Sequence, residues 1–156
     1  MAIVTVYRDD PNFPKTTQRT RLGANALIVC DGKILLEKRS DCDLWGLVGG
    51  GVKRGETTLQ AITREIWEEL GLRIPKENFR KLAVYDGIRI AAYQDGSVWK
   101  MVIVAYWLQL DEIPTLRISK ESKQLRFFSK EELNNIEIVV THSDIVEQWF
   151  ISEQKP

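Results

Sequence analysis

Cysteine, histidine and methionine are scarce in this sequence, with two Cys, one His and two Met in 156 residues. Cys30 and Cys42 are too few for a disulfide framework and do not make a zinc set. Long apolar runs are also missing. The longest, Met101 to Leu108, falls far short of the roughly 20 residues that span a bilayer, so no membrane partner is expected. Neither sign of charge is in surplus, because Lys+Arg and Asp+Glu both number 22. A polymer of nucleic acid is therefore not the expected partner, since such binders need excess basic charge to displace counterions. The opening residues, MAIVTVYRDD, have neither a basic leader nor a sustained apolar run, and a secretory leader is not expected. Apolar material is ample, at 44% hydrophobic residues with five Trp. These proportions point to one domain over residues 1–156, in a cytoplasmic monomer or homodimer.

Turn and cap residues divide the chain into elements. Ile3–Tyr7 reads as a short strand followed by a proline-containing loop. Ala24–Cys30 and Lys33–Arg39 are β-compatible runs joined by Asp31-Gly32, a pair suited to the positive φ of a type I′ hairpin turn. Phe79–Ile90 and Val98–Leu110 form a second pair turned at Asp95-Gly96, and Leu125–Phe128 is a further strand. A helix is expected over Thr58–Leu70, because Thr57 and Gln60 make a capping box and Gly71 stops it. Ser129 and Glu132 make another capping box that opens a short helix through Leu133. A last helix spans Asp144–Phe150, with Ile145 and Trp149 inward. Strand pairs around a central helix, with another helix at the end, predict an α/β sandwich around a mixed sheet.

Five of the ten glycines fall between Gly46 and Gly55, in WGLVGGGVKRGE. Such a segment is a shaped loop whose backbone comes close to something. It is neither a Walker A loop nor a G-x-G-x-x-G turn. On the helix that follows, Leu59, Ile62, Ile66 and Leu70 form the buried stripe. Glu65, Glu68 and Glu69 share an arc of about 100° beside that stripe, with Arg64 at its edge. Like charges three and four residues apart repel, and one arginine does not balance three carboxylates. Hard divalent cations favour such oxygen ligands, and Mg²⁺ bridges carboxylates to substrate phosphates. On spacing alone, a solvated acidic face would account for the same residues.

The loop and helix together resemble the Nudix family. From Gly50 to Leu72 the residues fit the Nudix box, G-x5-E-x7-R-E-U-x-E-E-x-G-U with U aliphatic, at every specified position. Trp45 to Gly49 is similar to the family's W-x-x-P-G lead-in, with Val48 where proline is usual. Glu121 to Leu133 is similar to the family segment in which a Glu precedes an aromatic strand and a short helix. The resemblance implies a Nudix-type α/β/α sandwich. It also implies hydrolysis of a nucleoside diphosphate linked to another group, by water attack on phosphorus with Mg²⁺ or Mn²⁺ bound.

Carried over residue by residue, the resemblance implies that Glu65, Glu68 and Glu69 are metal ligands, joined by the carbonyl of Gly50 or its neighbour Gly49. Glu56 acts through water or by pairing with Arg64, and Arg64 orients carboxylates. The general base is Glu65, Glu69 or Glu121. Arg39, with Lys38 as its rival, stands where the family places a phosphate-contacting cation. Trp45, Tyr85, Tyr93 and Trp99 are candidate base-stacking residues. His142 reads as a cap or surface residue before the last helix. Markers of the family's ADP-ribose, dinucleoside-polyphosphate and coenzyme A subgroups are missing, since Asp86, Gly87, Ile88, Arg89 and Ile90 stand where the first two would place proline or tyrosine. By elimination the substrate is a (deoxy)nucleoside triphosphate, oxidised forms included, or a related nucleotide. The alternative is a catalytically silent Nudix-fold module that binds nucleotide. Loss of a box carboxylate would favour it, and none is lost.

Overall fold

A hairpin that opens like a fork organises the molecule, which the computed structural model describes over residues 3–153. Strands β2 (Arg21–Cys30) and β3 (Lys33–Arg39) meet at Asp31 and Gly32, whose φ values are 52° and 74°. Both are positive, as a type I′ turn requires. The two strands pair only next to the turn, at Val29↔Ile34 and Cys30↔Lys33. Beyond that point they splay, and a wedge enters between them. Its first part, β4 (Trp45–Gly46), pairs with β3; its second, β5 (Val48–Gly51), pairs with β2. The glycine-rich segment is thus held in the middle of a sheet. Asn25 closes the fork from β2, donating through Nδ2 to the carbonyls of Leu47 and Val48 at 3.3 Å each.

The rest of the order is β1 (Val4–Arg8), helix α1 (Thr58–Leu70), β6 (Arg80–Tyr85), β7 (Arg89–Tyr93), β8 (Val98–Leu110), β9 (Ser122–Phe128) and helix α2 (Val140–Glu153). β8 lies parallel to β2 from Met101 to Leu110, while β3 and β6 pair antiparallel with their neighbours, so the sheet is mixed. The first residues of β8 instead join β7 and β1 in a small antiparallel sheet.

Strict alternation along the strands fills two cores. Ala24, Ala26 and Ile28 of β2, Leu35 of β3 and Val104, Tyr106 and Leu108 of β8 face α1, meeting Ala61, Ile62, Ile66 and Leu70. Leu27, Val29, Ile34, Leu36, Ile103 and Ala105 face α2, meeting Ile145, Val146 and Trp149. The architecture is the expected α/β/α sandwich. Among the described residues no helix is long and apolar enough to cross a membrane.

Several boundaries differ from expectation. Phe79–Ile90 is two strands, β6 and β7, interrupted around Asp86 to Ile88, and both pair with β8. The Ser129–Glu132 capping box forms, with Ser129 N–H donating to Glu132 Oε1 at 3.1 Å, but it opens a 3₁₀ turn at Glu132–Asn135. α2 begins at Val140, earlier than Asp144. Its first turn opens on the β-branched Val140 and Thr141 and holds no acidic residue, while Ile145, Val146 and Trp149 pack into the core.

Candidate active site

α1 starts where its cap residues place it. The Thr57 hydroxyl accepts from Gln60 N–H at 3.0 Å, and Gln60 Oε1 accepts from Thr57 N–H at 2.9 Å. Gly71 ends the helix with φ 72°. With Ile62 and Ile66 turned into the core, Arg64, Glu65 and Glu69 face the wedge. Arg64 is the hub. Its guanidinium donates to both oxygens of Glu56 at 2.7 and 3.0 Å, to Glu65 at 2.8 Å, to Glu68 at 3.3 Å and to the Gly51 carbonyl at 3.1 Å. The Glu56 bonds to Arg64, helped by the Lys53 amide, hold that carboxyl down to about 2.

The wedge meets the helix closely. Gly49 has φ 141°, a conformation reserved for glycine, and an added Cβ would lie 2.2 Å from the Ala24 carbonyl oxygen. At Gly50 an added Cβ would lie 2.6 Å from Glu65 Oε1. Gly50 therefore leaves space that the Glu65 carboxylate fills.

Glu121 arrives from far along the chain. Its approach is anchored at the C-terminus of α1, where Arg117 N–H donates to Leu70 O at 2.8 Å and the Arg117 guanidinium donates to Trp67 O at 2.9 Å. Its landing point is fixed just past β3, where Ser40 donates to the Glu121 carbonyl from N at 3.0 Å and from Oγ at 2.9 Å. One carboxylate oxygen each from Glu65, Glu69 and Glu121 then lie within 4.8 Å of one another. Glu121 lines two hollows of about 400 and 410 Å³, and Glu65 and Glu69 line the second. The first hollow is lined by Arg21, Arg39, Tyr93 and Lys120. The second is lined by Lys53, Arg64 and Lys120. A larger hollow of about 810 Å³ lies around Trp67 on another flank of α1 and touches none of the three carboxylates.

Glu69 is the least satisfied member. It is 2% exposed, its Oε1 has no hydrogen-bond partner, and its Oε2 receives only the Gly49 amide at 3.4 Å. Burial first, then the nearby charges of Glu37, Glu65 and Glu121, push its carboxyl up to about 10. Glu37, which sequence reasoning did not single out, is also buried, and burial pushes it up to about 7 despite a hydrogen bond from Ser122. Its signal in the sequence is faint, being one acidic residue at the polar end of a strand.

The other expected residues are distributed as follows. Glu68 is half exposed, reaches Arg64 and lines the second hollow beside Glu65, Glu69 and Glu121, outside their 4.8 Å group. Arg39 lines the first hollow, and its guanidinium forms a bidentate pair with Asp41 at 2.5 and 2.9 Å. Of the four aromatic residues, Tyr93 lines that hollow. Trp45 packs edge-on against Phe128, Trp99 lies under the Arg21 guanidinium, and Tyr85 bonds Gln148. His142 is no surface residue. It is buried in the first turn of α2, where its Nδ1 accepts from Leu47 N–H at 3.0 Å. Burial and the Arg39 and Arg89 charges lower its pKa to about 3, which leaves it neutral.

The donor set fits a divalent cation. Three carboxylates converge without an ion pair to Glu69, one buried oxygen lacks any partner, and the Gly50 backbone stands against Glu65. Oxygen donors of this kind select hard cations such as Mg²⁺ or Mn²⁺.

Comparison with known proteins identifies the family. The NUDIX domain family profile matches residues 19–149. The nucleoside triphosphatase NudI of Enterobacter sp. (strain 638) is 32% identical over 97 residues, covering 60% of this chain and 67% of that protein. Its counterpart in Salmonella typhimurium is 41% identical over 75 residues, but the matched stretch spans only 53% of that protein. The crystal structure of a MutT NUDIX hydrolase from Burkholderia pseudomallei superposes with a TM-score of 0.67 at 31% identity, covering 84% of this chain and 98% of that one. Family profile and fold agree, and this chain belongs to the Nudix family.

Proposed function

We propose that this chain is a divalent-cation-dependent hydrolase that cleaves a nucleoside diphosphate linked to another group. Its substrate class is (deoxy)nucleoside triphosphates, normal or oxidised, its cation Mg²⁺ or Mn²⁺, and its compartment the cytoplasm. The observation that carries this reading is the convergence of Glu65, Glu69 and Glu121 on one point beside a cleft, with Glu69 Oε1 unpartnered. The triphosphate assignment is supported by the likeness to proteins named nucleoside triphosphatases. The cation is supported by the donor set, and the structurally similar bifunctional NMN adenylyltransferase/ADP ribose pyrophosphatase from Francisella tularensis, 22% identical with a TM-score of 0.70, is described as complexed with AMP and a Mn ion.

In this reading Glu65, Glu69, Glu121 and the Gly50 carbonyl would hold the cation, which would neutralise pyrophosphate oxygens and lower the pKa of water. Arg64 fixes the Glu65 carboxylate and the glycine loop in place. Arg21 and Lys120 give the cleft positive charge for phosphates, because Arg39 is already paired with Asp41. Tyr93 offers a ring face for the base. A new bond forms from water oxygen to phosphorus, the bridging P–O bond breaks, and the water proton passes to a carboxylate. Glu65 gives only one oxygen to Arg64, and the carboxylate that receives the proton is Glu65, Glu69 or Glu121. The products from a triphosphate are a nucleoside monophosphate and pyrophosphate. His142, neutral and turned to the Leu47 amide, takes no part in proton transfer.

A chromatographic product screen tests this reading. The panel holds normal and 8-oxo-deoxynucleoside triphosphates, ADP-ribose, nucleotide sugars and dinucleoside polyphosphates, each with Mg²⁺ and with EDTA. Monophosphate release from triphosphates is expected only with Mg²⁺, and Glu69→Gln is expected to lose it by orders of magnitude while still folding. Release from ADP-ribose alone would overturn the substrate class. Full activity in EDTA or in Glu69→Gln would overturn the metal site.

A further inference from the structure

We propose that Glu37 is a fourth carboxylate of the cation site, contributed by β3 from outside the Nudix box. This rests on the reading above that Glu65, Glu69 and Glu121 hold a divalent cation.

Strand parity places Glu37 on the side of the sheet where α1 lies. Along β3, Ile34 and Leu36 face α2 while Leu35 faces α1, so Glu37 shares the row of Leu35. Its cross-strand partner on β9 is Leu125, and that of Leu35 is Phe127, both packed against the α1 core. Apolar side chains fill that row, and at Glu37 it changes to a carboxylate. Packing alone would favour another apolar residue there.

The positive charge of Arg39 acts on Glu37 without forming an ion pair to it. Among the described residues Glu37 forms no ion pair, and its one hydrogen bond comes from Ser122 Oγ at 2.5 Å. The nearest guanidinium charge, Arg39, is bound to Asp41. Glu37 lines the same cleft as Gly49, Gly50 and Glu121, and of the surrounding charges it acts most strongly on Glu69. Glu69 Oε1 is buried and has no partner. Two buried carboxylates lie near enough for their charges to act on each other, and among the described residues neither forms an ion pair. A cation shared between them would supply the counter-charge that both lack.

Ser122 fits this role. It follows Glu121 directly, and between Lys38 and Arg39 the β3–β9 register shifts, forming a bulge. The bulge lets Ser122 turn its hydroxyl to Glu37 while Glu121 turns its carboxylate to the cluster. A hydroxyl donor orients a carboxylate and leaves its remaining lone pairs free for a metal.

The test is Mn²⁺ binding to the cation-free protein without substrate, followed by electron paramagnetic resonance of free Mn²⁺ and by calorimetry. The unsubstituted protein, Glu37→Gln and Glu69→Gln are compared. Glutamine keeps the shape and the acceptor oxygen for Ser122, so a merely structural role would survive it. Glu37→Gln is expected to raise the Mn²⁺ dissociation constant at least tenfold, and to unfold at no lower temperature than the unsubstituted protein in EDTA. Binding unchanged in Glu37→Gln but lost in Glu69→Gln would overturn the role of Glu37 and leave the box site standing. No Mn²⁺ binding by the unsubstituted protein would overturn both. A second measurement needs no substitution. With Fe²⁺ in the site, ascorbate and peroxide cut the nearest backbone, and fragments ending near Glu37 are expected beside those ending in α1. Cuts in α1 without any in β3 would overturn the proposal.

Discussion

Glu69 and Glu37 make the stability of this protein depend on pH in an unusual direction. Both carboxyls start from an ordinary value of 4.5 in the unfolded chain and are raised by folding, Glu37 to about 7 and Glu69 further. Between those limits the folded chain keeps protons that the unfolded chain has released. Stability therefore falls as pH rises from about 4.5 towards 7, by up to about 1.4 kcal/mol per pH unit for each group. In EDTA the melting temperature is expected to drop over this range, and Glu69→Gln to flatten the drop. Saturating Mn²⁺ should reverse it, since a bound cation favours the ionised carboxylates. A melting temperature that rises with pH in EDTA would contradict the burial argument. The box residues were legible in the sequence because their spacing is local and fixed by the helix. Glu37 was not, because Ser122 lies 85 residues away and Glu69 on a different element. Nothing in Lys33–Arg39 alone distinguishes a buried carboxylate from a strand turning polar.

The wedge separates two kinds of glycine. An added methyl at Gly50 meets only the end of the Glu65 side chain, which can swing away. Gly50→Ala is expected to fold with near-normal stability in urea while Mn²⁺ affinity and turnover fall together. At Gly49 the methyl would meet the Ala24 carbonyl and the Asn25 backbone, and φ is 141°. Gly49→Ala should cost at least about 1–3 kcal/mol of stability, whatever the metal concentration. Equal behaviour of the two variants would refute this distinction. The elements themselves were uneven in legibility. α1 announced both ends through Thr57, Gln60 and Gly71, all acting within a turn. β4 and β5 did not, because glycine has low strand propensity and their pairing is decided by β2 and β3. The break between β6 and β7 also passed unseen, since β-compatible residues continue up to Tyr85 and resume at Ile88.

Across the whole molecule, α2 is fastened to the small sheet by charge as well as by apolar packing. Asp144 receives Arg89 of β7 through both oxygens, at 2.5 and 3.3 Å, and Arg8 of β1 at 3.0 Å. Arg89 is only 3% exposed, and its Nε already lacks a partner. Asp144→Asn would leave that guanidinium buried without its counter-charge. A loss of about 1–3 kcal/mol is expected in urea unfolding, with hydrogen exchange quickening first in α2 and β1. Exchange unchanged in both elements would show that apolar contacts alone hold them. This tie was invisible in the sequence, because its three partners come from three separate elements.

The fork of β2 and β3 also sets a kinetic hazard. Continued past Val29↔Ile34, the hairpin register would place Ile28 opposite Leu35 and Leu27 opposite Leu36, side chains that already match in polarity and face. A fully zipped hairpin is then a locally stable decoy, reached by short-range search before the residues of the wedge have been positioned. In it the glycine segment would be shut out of the sheet. Refolding from urea should show rollover of the folding limb at low denaturant as the zipped hairpin opens. Gly49→Ala, which hampers entry of the wedge, should deepen that rollover.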